Sequence, residues 1–247
     1  MNATTALPFS LAPHVRACAC DGQVILLDLR TNRYVGVGPG VAADLSQCVE
    51  GWPCPQVTSA TRSESLGARD IQTVTQRFVS QGLLARCVIA RPTHNTIPVA
   101  EASLDFEDLS SSMDLGARTF ARFMRGAAFA TCRLRLQSLE TIARSVAERR
   151  RWQTADPRHS HRVSPASMRA NAIAYERLRP LLLTARKKCL FDSLSLLEFL
   201  AGDGLFPHWV IGIKTAPFGA HAWVQYNSMV LNDQHARVRQ FRPILVA

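Results

Sequence analysis

The chain has 247 residues, of which 47% are hydrophobic, enough to bury the core of one large domain or two small ones. The first 20 residues lack a basic head and an apolar run long enough for a signal peptide or a membrane span, so we expect a cytoplasmic protein. The seven cysteines are odd in number and form no C-x-x-C pair, which argues against a disulfide framework and a zinc site and predicts no bound metal.

Residues 13–37 contain three short apolar or alternating runs, HVRACAC, QVILLDL and RYVGV, which predict a three-stranded antiparallel meander. The turn signals Asp21–Gly22 and Thr31–Asn32 separate these runs. Beyond GPG, apolar residues recur at helical spacing from Val41 to Gly51, which predicts a helix that ends at Gly51.

Two further helices are expected in the N-terminal region. Residues 55–67 mark the first only weakly, whereas the second begins at Asp70, which can cap it, and ends at Gly82. The run LLARCVI, at 83–89, then returns as an extended segment. Residues 1–91 therefore predict a winged-helix-like domain made of a β-meander and three helices.

The middle of the chain is predicted to be helical and is strongly basic. Residues 92–114 contain two prolines, many small polar residues and a local acidic cluster, and are predicted to be a linker. Helical periodicity follows from Leu115 to Arg151 and again from Ala166 to Arg186. Between Arg118 and Lys188 there are 17 lysines and arginines against four acidic residues. Such a block suits an acidic partner or a nucleic acid, and a solvated helical face accounts for it as well.

The last quarter predicts a helix followed by an antiparallel sheet. Leucines recur at helical spacing in CLFDSLSLLEFLAGDG, so a helix is expected from Cys189 to Gly202. HWVIGIK, HAWVQYN and MVLND follow as three strands, with a loop at TAPFGA. The predicted fold class is α+β, and the order of a helix followed by an antiparallel sheet within residues 115–247 resembles that of papain- and transglutaminase-like proteins.

Cys189, His221 and Asp233 are the candidate catalytic residues. A cysteine in the first turn of a helix is close to free backbone N–H groups and to the positive end of the helix dipole, and Lys187 and Lys188 precede it; all favour a thiolate. His221, at the start of a strand, can exchange a proton with it, and Asp233, at the end of the next strand, can orient the ring. The backbone N–H of Cys189 is an expected oxyanion donor. On residue types alone, a buried structural cysteine and a packed core histidine stay open.

Several short motifs follow one another in this region. They are Cys189 with its leucine-rich helix, VIGI at 210–213, Pro-Phe at 217–218, HAW at 221–223 and ND at 232–233. This order resembles the peptidase domain of the leader peptidases (B proteins) of lasso-peptide biosynthesis, a transglutaminase-like family of bacteria. The resemblance implies a cysteine peptidase that cuts the leader from a lasso precursor peptide with Cys189, His221 and Asp233.

The same resemblance implies a partner enzyme, an ATP-dependent, asparagine-synthetase-like macrolactam synthetase. The chain itself has no G-x-x-x-x-G-K-[ST] motif. We therefore expect no cofactor bound by a recognisable motif here, and we expect the nucleotide to belong to the partner.

Residues Val24–Gly51 follow the order strand, turn, strand, helix. This order resembles the peptide-recognition element (RiPP recognition element) of many ribosomal-peptide-modifying enzymes, which has the fold of the pyrroloquinoline-quinone peptide chaperone. The resemblance implies that residues 1–91 bind the leader as an added strand, against the helix at 70–81. The expected leader-binding residues are Tyr34, Val35, Val37, Val74 and Phe78, with plain sheet packing as the alternative for the first three.

Two other functions stay open at this point. An amine can resolve the thioester on Cys189, which would make the enzyme a transglutaminase-like acyltransferase. The basic middle and the winged-helix-like domain also fit a non-enzymatic nucleic-acid binder, whose affinity would fall as salt rises.

Overall fold

The computed structural model describes residues 9–53, 68–86, 96–104, 115–155, 164–181 and 188–247. The chain divides into two compact units, an N-terminal unit, Met1–Thr93, and a C-terminal unit, His94–Ala247. Both contain helices and β-sheet, so the α+β class expected from the sequence is confirmed. Within these described ranges, no helix has the length and apolar character needed to cross a bilayer.

The predicted meander in the N-terminal unit is confirmed. Strands β2 (Val15–Cys20), β3 (Gln23–Asp28) and β4 (Arg33–Val37) pair antiparallel in that order. Asp21 and Gly22 both have positive φ, 47° and 78°, which is the backbone of a tight hairpin turn. A glycine or aspartate adopts this conformation at low cost, which is why the sequence signal was reliable.

A second sheet of the N-terminal unit places β1 (Phe9–Leu11) between β5 (Val49–Glu50) and β6 (Leu84–Ala85). Helix α1 spans Pro39–Leu45, so the helix predicted to reach Gly51 is too long. The reason is tertiary: Val49 and Glu50 pair with β1 rather than continuing the helix.

Helix α2 spans Ala68–Ser80, and Gly82 follows its end with a φ of 71°, as a helix stop requires. Asp70 lies in its first turn and does not cap it, because the helix begins two residues earlier than predicted. A negative charge in the first turn still stabilises the helix, because it interacts favourably with the positive end of the helix dipole. The helix predicted at 55–67 lies outside the described residues.

The C-terminal unit contains the helices α3 (Ala117–Leu136), α4 (Leu139–Ala155), α5 (Pro165–Leu178), α6 (Cys189–Ala201) and α7 (His235–Val238). The helical stretch predicted from Leu115 to Arg151 is two helices, because Gln137 has the extended backbone of a helix end, with φ −122° and ψ 148°. Helix α5 ends before its predicted stop and continues as a single 3-10 turn, Arg179–Leu181.

Helix α3 crosses α6 at Gly126. A Cβ atom at Gly126 would lie 3.0 Å from the carbonyl oxygen of Ser195, so only glycine permits this approach. Next to the crossing, the ring of Tyr175 packs against Phe123 and Phe199, with centroid distances of 5.5 and 5.7 Å. This aromatic cluster holds α3, α5 and α6 together beside the sheet.

The sheet of the C-terminal unit has the strand order β11-β8-β9-β10-β7. Its strands are β7 (Ala102–Ser103), β8 (His208–Thr215), β9 (Phe218–Tyr226), β10 (Met229–Val230) and β11 (Arg242–Val246). Strands β8, β9 and β10 confirm the predicted antiparallel meander.

Three features of this sheet differ from the prediction. Strand β7 comes from the segment 92–114 predicted as a linker, and it pairs parallel with β10. Strand β9 begins at Phe218, opposite Thr215, so the predicted loop is a two-residue turn. Strand β11 was not predicted; Pro243 lies where its register with β8 shifts, and such a bulge tolerates a missing N–H group.

Candidate active site

Cys189 is the first residue of α6, as predicted. Lys188 is the N-cap and its side chain makes no capping hydrogen bond, while the backbone of Leu190, in the first turn, is hydrogen-bonded to the thiol of Cys189. The apolar residues of α6 are buried, with Leu194, Leu196 and Phe199 at 0% exposure, and the helix packs against β9. This packing fixes the helix, while Cys189 itself stays half-buried and accessible.

His221 lies on β9, the fourth residue of the strand rather than its first as predicted. Its ring is buried and packs between Trp223, at a centroid distance of 6.1 Å, and Phe241, at 5.3 Å. Gly212 is paired with His221 across the sheet, and a Cβ atom there would lie 2.8 Å from Trp223. The absence of a side chain at Gly212 therefore lets the aromatic rings close around the histidine.

Asp233 lies three residues beyond β10, not at the end of a strand as predicted. The N–H group of Leu231 still bonds to the carbonyl oxygen of Val224, at 2.9 Å, which continues the pairing and brings Asp233 back to β9. The Nε2 atom of His221 lies 2.7 Å from Oδ2 of Asp233. The other carboxylate oxygen of Asp233 accepts the N–H group of Gln234 at 2.8 Å, so the carboxylate has a fixed orientation.

Because Nε2 of His221 is bonded to Asp233, Nδ1 is the ring nitrogen left for the thiol of Cys189. Burial raises the pKa of the Cys189 thiol, but other effects outweigh burial and hold that pKa below its ordinary value. These effects are hydrogen bonds with the His221 side chain and with the backbone of Ala222 and Leu190, together with the charge of His221. The three predicted residues are thus brought together in the order Cys189, His221, Asp233.

The two partners of the thiol are shifted in the complementary sense. Burial lowers the pKa of His221, but hydrogen bonds with Asp233 and Cys189 and the charges of both raise it to about 9. Burial raises the pKa of Asp233, but the hydrogen bonds from His221 and Gln234 and the charges of Arg237 and His221 hold it below its ordinary value. These pKa shifts favour a row of three charged groups: a Cys189 thiolate, a His221 imidazolium and an Asp233 carboxylate.

Behind this row lies a buried polar cluster that the sequence analysis missed, made of Tyr175, Arg179, Asp192 and Asn232. Asp192 is bonded to Asn232 at 3.2 Å, to Arg179 at 2.9 Å and to the Tyr175 hydroxyl at 3.0 Å. Two signals in the sequence could have found it. Asp192 is a charged residue in a leucine-rich helix, three positions after Cys189, and Asn232 directly precedes Asp233.

The residues predicted to bind a leader lie on β4 and α2 of the N-terminal unit. Val37 is 3% exposed and belongs to the hydrophobic core, so its side chain fits the alternative of plain sheet packing. Val35 and Phe78 pack at the edge of the same core, and Tyr34 and Val74 are half-buried. The reason is alternation along the strand, since Val35 and Val37 point to one face and Tyr34 to the other.

Strand β4 is the outer strand of the meander in the part of the chain that the structure describes, because its described pairing is with β3 alone. An outer strand offers backbone groups to a further strand. In the same described part, no group of three or more histidine, cysteine, aspartate or glutamate side chains could hold a metal ion.

Comparison with known proteins agrees with the geometry of the C-terminal unit. Residues 126–246 match the transglutaminase-like superfamily (Transglut_core3). A stretch of 48 residues is 38% identical to the microcin J25-processing protein McjB of Escherichia coli, and it covers 19% of this chain and 23% of that protein. The chain thus matches less than a quarter of that relative's length, and no solved structure gives a significant match. The C-terminal unit, with Cys189, His221 and Asp233, is therefore similar to the transglutaminase-like superfamily over residues 126–246.

Proposed function

We propose that this protein is a cysteine peptidase that removes the leader from a lasso precursor peptide. The observation that carries the proposal is a His221 side chain hydrogen-bonded to Asp233, at 2.7 Å, and to Cys189 at the start of a helix, and the pKa shifts of the thiol and of the ring agree with it. Such a pair supplies a thiolate at neutral pH without an external base. The match to the transglutaminase-like superfamily and the short similarity to a microcin J25-processing protein support the substrate class.

The acylation step follows from this charge state. The thiolate of Cys189 attacks the carbonyl carbon of the last leader residue, and the oxyanion accepts the backbone N–H group of Cys189. His221, an imidazolium at this point, gives its proton to the leaving nitrogen as the C–N bond breaks. The products are a leader thioester on Cys189 and a core peptide with a free N-terminal amine.

The deacylation step uses the same groups in reverse. Neutral His221 takes a proton from water, whose oxygen attacks the thioester carbonyl. The C–S bond breaks, the leader leaves with a new carboxylate, and the thiolate and imidazolium return. Asp233 accepts the Nε2–H of His221 throughout, which keeps the ring in the orientation that places Nδ1 toward the sulfur.

We also propose that the N-terminal unit binds the leader by strand addition. The support is the position of β4 at the outside of the meander and the half-buried apolar residues Val35, Val74 and Phe78 nearby. A tethered leader raises the local concentration of the scissile bond, so the catalytic residues themselves need not bind the peptide tightly. The freed amine then becomes the nucleophile of a partner macrolactam synthetase that consumes ATP.

The test uses the full chain and a synthetic lasso precursor peptide. Products are weighed by mass spectrometry for the wild type, for Cys189→Ala and for Cys132→Ala, which changes an exposed cysteine of α3. The proposal expects leader and core masses that sum to the precursor plus one water for the wild type and Cys132→Ala, and intact precursor for Cys189→Ala. Cleavage by Cys189→Ala at the wild-type rate would contradict it.

The same measurement separates hydrolysis from acyl transfer. If an amine rather than water resolves the thioester, the leader appears as an adduct whose mass equals leader plus amine minus one water. An adduct formed in the presence of a simple primary amine, with no hydrolysed leader, would replace the peptidase with an acyltransferase.

A further inference from the structure

We propose that Asp192 and Asn232 are positioning residues of this site: together they fix the segment that carries Asp233 against the helix that begins at Cys189. The inference rests on the proposed function only in taking Cys189, His221 and Asp233 as the reacting row. Neither Asp192 nor Asn232 touches the thiol, and both act through the residues beside them.

Asn232 connects the three elements that bear the row. Its Nδ2 group donates to Oδ2 of Asp192 on α6, at 3.2 Å. Its Oδ1 atom accepts the backbone N–H of Val224 on β9, at 2.9 Å. Its own backbone is joined directly to Asp233, so a single buried side chain spans the helix of Cys189, the strand of His221 and the segment of Asp233.

Asp192 is the fixed end of this connection. It lies one helical turn after Cys189, and its carboxylate accepts the Tyr175 hydroxyl at 3.0 Å and the Arg179 guanidinium at 2.9 Å. Tyr175, Asp192 and Asn232 are 0%, 3% and 6% exposed. Hydrogen bonds out of contact with water have few competing partners, so they hold one geometry.

The placement of Asn232 is what separates this arrangement from an ordinary buried ion pair. Arg179 supplies the cation beside Asp192, although burial still raises the pKa of that carboxyl above its ordinary value. The hydrogen bond from Asn232 also opposes the effect of burial on that pKa, and it ties the residue next to Asp233 to the helix of the nucleophile. Loss of that bond frees the Asp233 segment and with it the orientation of His221.

A matched control lies on the same helix. Glu198 is also a buried carboxylate of α6, also paired with arginines, Arg133 and Arg149, but it lies nine residues beyond Cys189. A role in general stability would make Asp192→Asn and Glu198→Gln behave alike. A positioning role makes only Asp192→Asn change the chemistry of Cys189.

The readout is the alkylation rate of Cys189 by iodoacetamide as a function of pH, measured peptide by peptide with mass spectrometry. The exposed Cys132 of the same molecule is the internal reference. The charged groups around Cys189 are His221 and Asp233, with Arg237 beside Asp233 and Lys188 before Cys189. Glu176 is also close, because the charge of Asp233 contributes to raising its pKa. None of these is changed in the variants tested.

In the wild type, Cys189 is expected to react at pH values where Cys132 does not. Asn232→Ala and Asp192→Asn should slow the alkylation of Cys189 near pH 6 by about tenfold or more, which corresponds to a thiol pKa higher by about one unit. Cys132 should be unchanged in every variant, and Glu198→Gln should leave the Cys189 profile as in the wild type.

Several outcomes would overturn the inference. Wild-type profiles for both Asn232→Ala and Asp192→Asn would do so, as would a Glu198→Gln shift equal to that of Asp192→Asn. If Asp192→Asn does not fold, as judged by circular dichroism, Asn232→Ala decides the question because it leaves the Asp192–Arg179 pair in place. If wild-type Cys189 reacts no faster than Cys132, both the inference and the proposed function fail; if only the variants look like the wild type, the inference alone fails.

Discussion

The Nε2 atom of His221 lies 2.7 Å from Oδ2 of Asp233, although 12 residues separate the two along the chain. The contact depends on the turn between β9 and β10 and on the backbone bond from Leu231 to Val224, which carries the chain back past the strand of the histidine. Asp233 thereby raises the pKa of His221 by a hydrogen bond and by its charge, against the effect of burial. Several measurable consequences arise from this pair and its surroundings.

Replacing Asp233 by asparagine should keep the shape of the site and remove its negative charge. Without that charge the pKa of His221 falls and the ring loses its fixed tautomer, so kcat/KM for precursor cleavage should drop by about 100-fold to 10,000-fold. Steady-state cleavage rates check this, with Asp203→Asn as control, since Asp203 pairs with Arg122 away from the thiol. A loss of less than tenfold would show that Asp233 does not orient the histidine.

The pH dependence of cleavage should report the raised pKa of His221. The protonated ring is the acid of the acylation step, so kcat/KM should fall as pH rises through about 9. In Asp233→Asn, any residual kcat/KM should begin to fall at a lower pH, because the hydrogen bond and the charge that raise the pKa of His221 are gone. If kcat/KM falls at the same pH in both proteins, a group other than His221 is responsible for the fall.

Stability should also fall with rising pH, through the buried Glu176. Burial raises the pKa of Glu176 from 4.5 to about 7, with Asp192 and Asp233 adding to the rise and Arg179 opposing it. A raised pKa means that the folded state binds the proton of Glu176 more tightly than the unfolded state does. The contribution of Glu176 to the free energy of unfolding is therefore fully present below pH 4.5 and is lost as pH rises through about 7.

Glu176→Gln removes this titration. The unfolding free energy, measured in urea across this pH window, should therefore decline less in Glu176→Gln than in the wild type. Parallel pH curves for the two proteins would show that Glu176 is not the group responsible.

The glycine opposite His221 gives a test of the aromatic packing around the ring. A Cβ atom at Gly212 would lie 2.8 Å from Trp223 and 2.9 Å from the Cβ of Phe241, so Gly212→Ala should displace both and cost about 1–3 kcal/mol of stability. At Gly219 the nearest atom is 3.4 Å away, on the flexible Lys214 side chain, so Gly219→Ala should be tolerated. Thermal unfolding and cleavage rates compare the two; equal effects would argue against the packing role of Gly212.

Leader binding should depend on the half-buried face of α2. On a Cys189→Ala background, Val74→Asp should weaken binding of a fluorescent leader peptide by about tenfold or more, because a carboxylate then enters an apolar contact. Gln72→Asp, two positions earlier on the exposed face, adds the same charge and should have little effect. Equal weakening by both would indicate long-range repulsion, and no weakening by Val74→Asp would place the leader elsewhere.

The features that local chemistry decides could be predicted from the sequence. The turn at Asp21–Gly22, the start of α6 at Cys189 and the stop of α2 before Gly82 each depend on a residue and its immediate neighbours. The contact of His221 with Asp233 was also expected, because antiparallel strands joined by a short turn must return past each other.

The features decided by distant partners could not be predicted. Val49–Glu50 continues a helical pattern but pairs with β1, and β7 lies in a segment that contains two prolines yet completes a sheet. Strand β11 contains Pro243, which fits a strand only because it lies at the register shift opposite β8. The cluster around Asp192 needed α5, α6 and the segment of Asn232 to be assembled, and no single stretch of sequence contains all three.

The central claim, that Cys189 is the nucleophile that opens the precursor, is tested most directly by trapping the thioester. Full-length protein and precursor are mixed, quenched in acid within milliseconds to seconds, and digested for mass spectrometry of the peptide that contains Cys189. The account predicts a leader-sized adduct on Cys189 that forms before free leader appears and is absent from Cys189→Ala. Release of free leader with no adduct on Cys189 at any time, together with full activity of Cys189→Ala, would contradict it.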